Sequence, residues 1–277
     1  MRTSKARASG FEIFCFACIV VFIVVQWLPI YGAAKGSLTS LGDIGKPSVL
    51  PRSFEFRNYI EVWREVPLGM YFVNSLIYSI GGTFIALLAA IPASYGVSRF
   101  RFKGKSLYLF VILATQMVAV STIIIPLFRM IIQLKMFDSR LTIILLCGTM
   151  PIPFAVWMLR THVNMIPVEI EEAAMVDGCS RFQAIFRVIL PLMKPGVAAA
   201  GLMSFLIAYK QFFLPLVLLN SRAKYPTMVG VYTLASMRLV PWHLVMAATI
   251  QVVIPPVVFF FLAQKYMVSG LASGSIK

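Results

Sequence analysis

The stretch 165–196 carries the side chains of this chain whose types and spacing could do chemistry. Glu169, Glu171 and Glu172 fall within one helical turn of each other, and Asp177 follows them. This acidic group lies in a polar helix-turn-helix pattern that separates two segments apolar enough to span a bilayer. A charged hairpin in that position indicates a surface that a partner outside the membrane binds.

The chain carries no sequence pattern for hydrolysing ATP or for coupling to an ion. Gly104-Lys105-Ser106 resembles the end of a phosphate-binding loop, but Arg99 stands where that motif needs a glycine. An ion-coupled carrier needs carboxylates within its spans, and here Glu12 lies only at the margin of the first span. The chain therefore does not look self-powered, and neither an enzyme activity nor a nucleotide site is expected in it.

The cysteines and the strong positive charge predict no further site. Cys15 and Cys18 form a CxxC pair, but both fall inside an apolar span without a second pair, so they are interpreted as packing residues. The net charge of +15 is spread over loops, without the aromatic-interleaved basic groove of a nucleic-acid-binding protein. No metal, cofactor or nucleic acid is expected, and these charges are expected to contact membrane lipid.

The elements that must position the hairpin are membrane helices. Hydrophobic residues make up 60% of the 277 positions and charged residues only 13%, which is too apolar for a soluble domain. A helix needs about 20 apolar residues to cross a bilayer, and continuous runs of this kind fit helices rather than barrel strands. The sequence predicts an all-α polytopic membrane protein with six transmembrane helices, at Ile13–Ala34, Val66–Ser98, Ser106–Phe128, Leu141–Leu159, Pro195–Ser221 and Leu239–Gln264.

The distribution of lysine and arginine predicts that both termini are cytoplasmic. The tight group from Arg99 to Lys105 weighs most, because cytoplasmic loops retain positive charge during insertion. This topology divides the chain into four parts: the cytoplasmic N-terminus with the first span (1–34), an extracytoplasmic loop (35–65), a five-helix core that contains the hairpin (66–264) and a cytoplasmic tail (265–277).

The hairpin sequence specifies where its first helix begins and ends. Pro167 favours the first turn, the glutamates lie near the positive end of the helix dipole, and Gly178 supplies a left-handed stop. Ser180 with Gln183 three residues on predicts a capping box at the start of the second helix.

The second helix is expected to end at Pro191 and Pro195. It should present one apolar stripe and one basic or polar face, as a helix docked in a partner's groove does. The stripe consists of Phe182, Ile185, Phe186, Ile189 and Leu190.

At these residues the chain resembles the permease subunits of bacterial ABC importers. Their cytoplasmic coupling loop, or EAA loop, carries Glu-Ala-Ala, three residues, Gly, nine residues and then Ile-x-Leu-Pro. The matching positions here are Glu172, Ala173, Ala174, Asp177, Gly178, Val188 (for the usual isoleucine), Leu190 and Pro191. The flanks, from Phe72-Val73-Asn74-Ser75 to the tail Gly270-Leu271-Ala272-Ser273-Gly274, are similar to the MalG-like branch of carbohydrate permeases.

The resemblance implies a type I ABC importer permease fold in the bacterial inner membrane, and it implies partners. A second, homologous permease would complete the pathway, two ATPase subunits would grip the coupling loops, and an extracytoplasmic solute-binding protein would deliver a sugar. ATP and Mg²⁺ would bind to the ATPase subunits, so this chain would be a transport subunit without a cofactor. Glu172 would anchor the ATPase, Gly178 would permit the turn, and Leu190 with Pro191 would fix the hairpin to the fifth span.

The chain departs from the family at Lys210. Carbohydrate permeases commonly show Trp-Asn-Glu/Asp-Phe there, whereas this chain has Tyr209-Lys210-Gln211-Phe212. A lysine inside a span is costly unless it snorkels, pairs or faces a wet cavity. It would either pair with a carbonyl or an acid of the partner permease, or place positive charge along the path of an anionic sugar. The predicted substrate pathway consists of Tyr209, Lys210, Gln211 and Asn74.

Several alternatives stay open from the sequence. The last outer loop, Asn220–Trp242, resembles one that reaches the binding protein's sugar site; the alternative is a plain connecting loop. The tail from Tyr266 has little intrinsic order and resembles one that reaches the ATPase interface; the alternative is a frayed terminus. A polyamine or an amino acid is the alternative substrate, because those permeases share the coupling loop. An ion-coupled secondary transporter is the alternative class.

Overall fold

The part of the chain that the structure describes is predominantly helical. This computed structural model describes residues 10–273, and those residues contain no β-strand. The helices are α1 (Gly10–Ser37), α2 (Asn58–Glu65), α3 (Leu68–Arg99), α4 (Lys105–Ala114), α5 (Val120–Gln133), α6 (Arg140–Thr149), α7 (Ile152–Met165), α8 (Val168–Val176), α9 (Arg181–Ala184), α10 (Leu190–Leu192), α11 (Lys194–Tyr209), α12 (Phe213–Leu218), α13 (Thr227–Ala235), α14 (Trp242–Val252) and α15 (Ile254–Ser273).

Three helical segments are each long and apolar enough to cross a membrane, namely Phe14–Ser37, Leu68–Arg99 and Trp242–Tyr266. Three bent pairs of shorter helices raise the number to six if each pair counts as one span. The pairs are Lys105–Met117 with Val120–Gln133, Arg140–Thr149 with Ile152–Met165, and Arg181–Leu192 with Lys194–Tyr209. The predicted all-α polytopic fold is therefore confirmed.

The predicted third span consists of two helices joined at a sharp bend. Its halves, α4 and α5, meet at 94°, where a 3-10 turn at Thr115–Met117 is followed by extended backbone at Val118 and Ala119. The Thr115 hydroxyl donates to the Ile112 carbonyl at 2.6 Å and so satisfies an acceptor near the end of α4. Hydropathy does not report such a bend, because a straight and a bent helix share one composition.

The two prolines of the hairpin do not end its second helix as predicted. Helical structure continues past Pro191 to Leu192, through a π-helical turn at Ile185–Ile189. Pro195 lies in the first turn of α11, where its missing N–H costs no intrahelical hydrogen bond. Pro195 therefore begins the next helix, and α11 bends away by 81°.

One compact unit comprises Pro67–Tyr232 and the chain from Val252 onward. Within it, α3 packs against α6, α7 and α11. A Cβ atom on Gly82 of α3 would lie only 3.0 Å from the carbonyl carbon of Cys147 in α6. The backbones of α3 and α6 thus approach too closely for any larger residue, which holds the middle of α3 in place.

The other compact unit comprises the chain up to Val66 together with Thr233–Gln251. Within it, Asn58 Nδ2 donates to the carbonyls of Ser37 at 2.9 Å and Thr39 at 3.1 Å, and so fixes α2 to the end of α1. Apolar side chains of α1 are exposed on all of its faces, including Phe14, Phe22, Val25 and Leu28. A helix that is apolar all round suits a lipid environment.

The tail is more regular than the sequence indicates. Helix α15 continues to Ser273, so the part from Tyr266 to that residue is helical. Residues 274–277, the rest of the predicted tail, lie outside the described residues, as do 1–9 of the predicted cytoplasmic N-terminus.

Candidate functional site

The hairpin turn has the geometry that its glycine predicts. Gly178 adopts φ +89°, in the left-handed region, and its N–H donates to the Met175 carbonyl at 3.1 Å. The Cys179 N–H reaches back to the Ala174 carbonyl at 3.0 Å. Helix α8 begins at Val168 with Pro167 as its N-cap, one residue later than expected. The left-handed stop is confirmed, because these bonds satisfy the last carbonyls of α8.

The second helix of the hairpin begins with the predicted capping box. The Gln183 N–H donates to Ser180 Oγ at 3.3 Å, and the Ser180 N–H donates to Gln183 Oε1 at 2.8 Å. The predicted single apolar stripe is wrong, because the π-helical turn divides it. Ile189 is 1% exposed and belongs to the core, whereas Phe182 is 70% exposed.

An outward apolar face remains at the start of the second helix. The rings of Phe182 and Phe186 lie 4.7 Å apart between centroids, and both are exposed. Ala184, between them, is fully buried beneath this pair. The hairpin therefore presents two aromatic rings on a well-seated helix, and no described part of its own unit covers them.

Glu171 holds the hairpin to the end of α3. Its Oε2 accepts a hydrogen bond from Arg99 Nε at 3.0 Å, and its Oε1 accepts one from the Tyr95 hydroxyl. Arg99 also donates through Nη2 to the Ile166 carbonyl at 2.8 Å. The side chains of Arg99 and Glu171 are only 10% and 5% exposed, so this is a buried, hydrogen-bonded ion pair. We call Tyr95, Arg99 and Glu171 the Glu171 cluster.

Glu172 lies in a different environment from Glu171. It is exposed, as are Ala173, Asp177, Gly178 and Pro191 of the signature, whereas Ala174 is buried, with Val188 and Leu190 intermediate. Successive residues of a helix are rotated by about 100°, so neighbouring glutamates cannot share a face. The structure therefore divides the two carboxylates between the interior and the surface.

A basic cavity lies beside the Glu171 cluster. It has a volume of about 440 Å³, and both Glu171 and Glu172 line it. Its basic lining residues are Arg99, Arg101, Lys105 and Arg181. The Arg181 guanidinium stacks over the Phe100 ring at 5.2 Å, and this contact joins the second hairpin helix to the end of α3.

The opposite end of α3 binds the main chain of residues 220–227, which we call segment 220–227. Asn74 Nδ2 donates to the carbonyls of Ala223 at 2.9 Å and Tyr225 at 3.1 Å. The Tyr78 hydroxyl donates to the Lys224 carbonyl at 2.7 Å. Three consecutive carbonyls are thus satisfied by two buried side chains of one helix.

Asp138 provides a second attachment for segment 220–227. Its carboxylate accepts hydrogen bonds from the N–H groups of Asn220 at 3.0 Å and Ser221 at 3.1 Å, and from Lys224 Nζ at 2.8 Å. Partial burial alone would raise the pKa of Asp138, but the hydrogen bonds from Lys224 and Ser221 outweigh it. They hold the pKa of this carboxyl well below its ordinary value.

The predicted substrate-pathway residues occupy different environments. Tyr209 is buried, and its hydroxyl donates to the Val252 carbonyl at 3.0 Å. Lys210 is exposed where α11 ends, and Gln211 is half-buried in the break before α12. The Asn74 amide group is engaged with segment 220–227. The pathway role of all four residues stays a prediction.

Sequence reasoning missed the residues that join the hairpin to the spans. Arg99 was read as a topology signal and Glu171 as one of several first-turn acids, although both lie at positions the structure buries. The available signal was the spacing within α3: Tyr95 and Arg99 are four residues apart, which places both on one face at the end of a predicted span. Two polar side chains on one face at the end of a span indicate a polar side chain on another element that bonds to both.

The fold and the hairpin define a multi-span helical membrane protein with an exposed polar loop between two of its helical segments. The family described as binding-protein-dependent transport system inner membrane component matches residues 82–273. The chain belongs to this family, whose description places it in the inner membrane. The predicted resemblance to ABC importer permeases is thereby confirmed.

Relatives and a solved structure agree with this assignment. The chain is 32% identical to the diacetylchitobiose uptake system permease protein DasC of Streptomyces coelicolor, over 94% of each chain. It is 30% identical to the sulfoquinovosyl glycerol transport system permease protein SmoH of Agrobacterium fabrum, over 82% of this chain and 80% of SmoH.

A crystal structure of a bacterial ABC transporter involved in the import of the acidic polysaccharide alginate contains a chain with the same fold. The TM-score is 0.79 at 24% identity, covering 94% of this chain and 98% of that one. The relatives are named as permeases and not as enzymes, as the sequence predicts for this chain.

Proposed function

We propose that this chain is one of two permease subunits of an ATP-driven importer for a sugar, and that its hairpin receives the motion of an ATPase. The observation that carries the proposal is the exposed Glu172, which lies within the coupling signature on a hairpin seated against α3. Together with the exposed rings of Phe182 and Phe186, it offers a partner both charge and apolar area.

The proposed assembly contains a second homologous permease, two ATPase subunits that bind ATP and Mg²⁺, and an extracytoplasmic solute-binding protein. Both termini of this chain would be cytoplasmic. The apolar surface of α1 supports contact with lipid or with the second permease. The family description, which refers to dependence on a binding protein, supports the delivery of substrate from outside.

The sugar class rests on the relatives, because DasC and SmoH are both named for carbohydrate substrates. The test is a thermal-shift screen of the cognate solute-binding protein against neutral sugars, acidic sugars, polyamines and amino acids. A ligand of a binding protein raises its melting temperature by mass action. Stabilisation by a sugar alone is expected; stabilisation only by a polyamine or an amino acid would assign this importer to another substrate class.

The coupling role of Glu172 is tested by reversing its charge. In the complex co-expressed with its partner subunits, Glu172→Lys should lose the ATPase on purification or abolish transport, while the chain remains inserted. Glu169→Lys is the matched control, because Glu169 is an exposed glutamate of the same helix. If the Glu172→Lys complex retains its ATPase and transports normally, Glu172 is not the anchor.

An anionic sugar is the second proposal, and Lys210 supports it. Lys210 lies at the C-terminal end of α11, and its charge makes no ion pair with any described acid of the chain. Lys210→Met should impair transport of acidic sugars more than that of neutral ones, with Lys210→Arg as the charge-preserving control. Equal losses for both sugars would favour a structural pairing with the partner permease.

A further inference from the structure

We propose that α3 is a two-ended connector, which holds the hairpin through Glu171 at one end and segment 220–227 at the other. Glu171 is then the positioning residue through which movement of the hairpin reaches the spans. This inference rests on the proposed function and extends it. Glu172 contacts the ATPase, whereas Glu171 passes the resulting displacement into the membrane.

At the hairpin end, hydrogen bonds fix both the position and the orientation of α8 on α3. The Glu171 carboxylate uses both oxygens on α3, one on Arg99 and one on Tyr95, and Arg99 is itself oriented by the Ile166 carbonyl. Charge-assisted hydrogen bonds made at two points fix both distance and orientation. The side chains of Arg99 and Glu171 are only 10% and 5% exposed, so a displacement of α8 along α3 would have to break a largely buried ion pair.

The body of α3 is suited to carry a displacement. It is one continuous helix of 32 residues, and the 25 residues from Asn74 to Arg99 span about 38 Å at the helical rise. The close contact between Gly82 and α6 ties its middle to a neighbouring helix. Packed helices move as bodies because the interior transmits strain and does not absorb it.

The second end is attached to main chain. Asn74 and Tyr78 hold three consecutive carbonyls of segment 220–227, and the Ser75 hydroxyl accepts a hydrogen bond from the Thr227 N–H at 2.8 Å. These four contacts within five residues hold the segment to α3, so it should move when α3 moves. A shift of the hairpin is therefore expected to displace segment 220–227.

The experiment uses the complete complex in lipid nanodiscs, with the four natural cysteines replaced by alanine and a reporter Ala223→Cys. Ala223 is exposed, and its backbone carbonyl is retained in the variant. The rate of labelling by a fluorescent maleimide is measured with and without Mg-ATP plus orthovanadate. Allosteric coupling typically changes an equilibrium by a factor of about 5–150, so a nucleotide-dependent change of at least about fivefold is expected.

Variants at either end should reduce that response. Glu171→Gln removes the charge without changing the shape, Tyr95→Phe removes one hydroxyl, and Asn74→Ala releases the far end. Glu171→Gln and Asn74→Ala should each reduce the nucleotide-dependent change to below about twofold, under the roughly 5–150-fold typical of allosteric coupling. Tyr95→Phe, which keeps the ion pair, should reduce it by less. Glu169→Gln, on the exposed face of the same helix, should keep it. In all of them the ATPase should still co-purify, because Glu172 is intact.

The outcomes separate this inference from the proposed function. A reference complex that does not retain an ATPase contradicts the proposed function. If the ATPase is retained and active, the inference is overturned by an unresponsive reporter in the reference complex, or by full responses in Glu171→Gln and Tyr95→Phe. If Glu171→Gln fails to assemble, Asn74→Ala decides, since it releases segment 220–227 and leaves the Glu171 cluster in place.

Discussion

The two ends of α3 hold their partners by different chemistry. At the hairpin end a charged side chain binds a charged side chain in a nearly dry setting, with Arg99 and Glu171 10% and 5% exposed. At the other end, the neutral groups of Asn74 and Tyr78 bind main-chain carbonyls. The ion pair near that end, Asp138 with Lys224, does not involve α3 and is 21% and 31% exposed.

The difference shows at which end of α3 the attachment requires particular side chains in the partner segment. An ion pair requires both partners, so the sequence of the hairpin cannot change at Glu171 without a matching change in α3. Carbonyls are present in every residue, so segment 220–227 can change its side chains and still be held. Sequence variation that alters the outward surface of that segment is therefore compatible with the same attachment.

The largest effect is expected from breaking the pair at the hairpin end. Arg99→Ala leaves the Glu171 carboxylate buried without a cation, and such a loss typically costs about 3–5 kcal/mol. Thermal unfolding of the purified complex should show it, with Arg101→Ala, an exposed arginine nearby, as the neutral control. The double variant Arg99→Ala with Glu171→Ala should recover part of the loss. Equal instability of the single and double variants would contradict a buried charge pair.

A smaller effect is expected at the other end. Asn74→Ala removes the donors of two carbonyls and leaves them partly unsatisfied, at a cost of about 1–3 kcal/mol. Amide hydrogen exchange should accelerate in segment 220–227 while that in α8 is unchanged. Ala223→Ser keeps the carbonyl and should exchange at the wild-type rate. If the serine variant exchanges as fast as Asn74→Ala, side chains and not main chain hold the segment.

The smallest effect is expected at Asp138. Asparagine keeps an oxygen that can accept from the Asn220 and Ser221 N–H groups and loses only the charge of the partly exposed pair with Lys224, so Asp138→Asn should cost less than about 1 kcal/mol at neutral pH. Because the folded-state pKa is lowered, the stabilisation is complete above the ordinary value of 3.8 and is lost only as pH falls through the lower folded-state pKa. Hydrogen exchange in segment 220–227, corrected for intrinsic rates, should thus show no Asp138-dependent change between about pH 5 and 8. A wild-type transition in that range, absent from Asp138→Asn, would contradict the lowered pKa.

The sequence predicts the spans and the hairpin turn because both are local. Apolar runs of bilayer length, the left-handed Gly178 and the Ser180 capping box are each specified within a few residues, and the structure contains them. The coupling-loop signature predicts that Glu172 contacts a partner, and its exposed position is compatible with that prediction. Local patterns of this kind need no knowledge of what packs nearby.

The attachments of α3 could not be predicted in the same way. Glu171 lies 72 residues from Arg99, and Asn74 lies 149 residues from Ala223, so only the folded chain brings them together. Choosing Glu171 over Glu172 as the inward residue requires the rotation of α8 about its axis, which a nine-residue helix without a clear apolar stripe does not reveal. The bend of the third span escapes prediction for a related reason, since no proline or charge marks Val118 and Ala119.

The π-helical turn at Ile185–Ile189 has a consequence for how the hairpin could evolve. A π turn amounts to one residue inserted into an α-helix, and one residue corresponds to a rotation of about 100°. The extra residue therefore turns Phe182 away from the side that buries Ile189. One short helix thus packs against its own protein through Ile189 and exposes Phe182 on another face. Deleting one residue from the turn should restore a regular helix and rotate Phe182 relative to the buried Ile189.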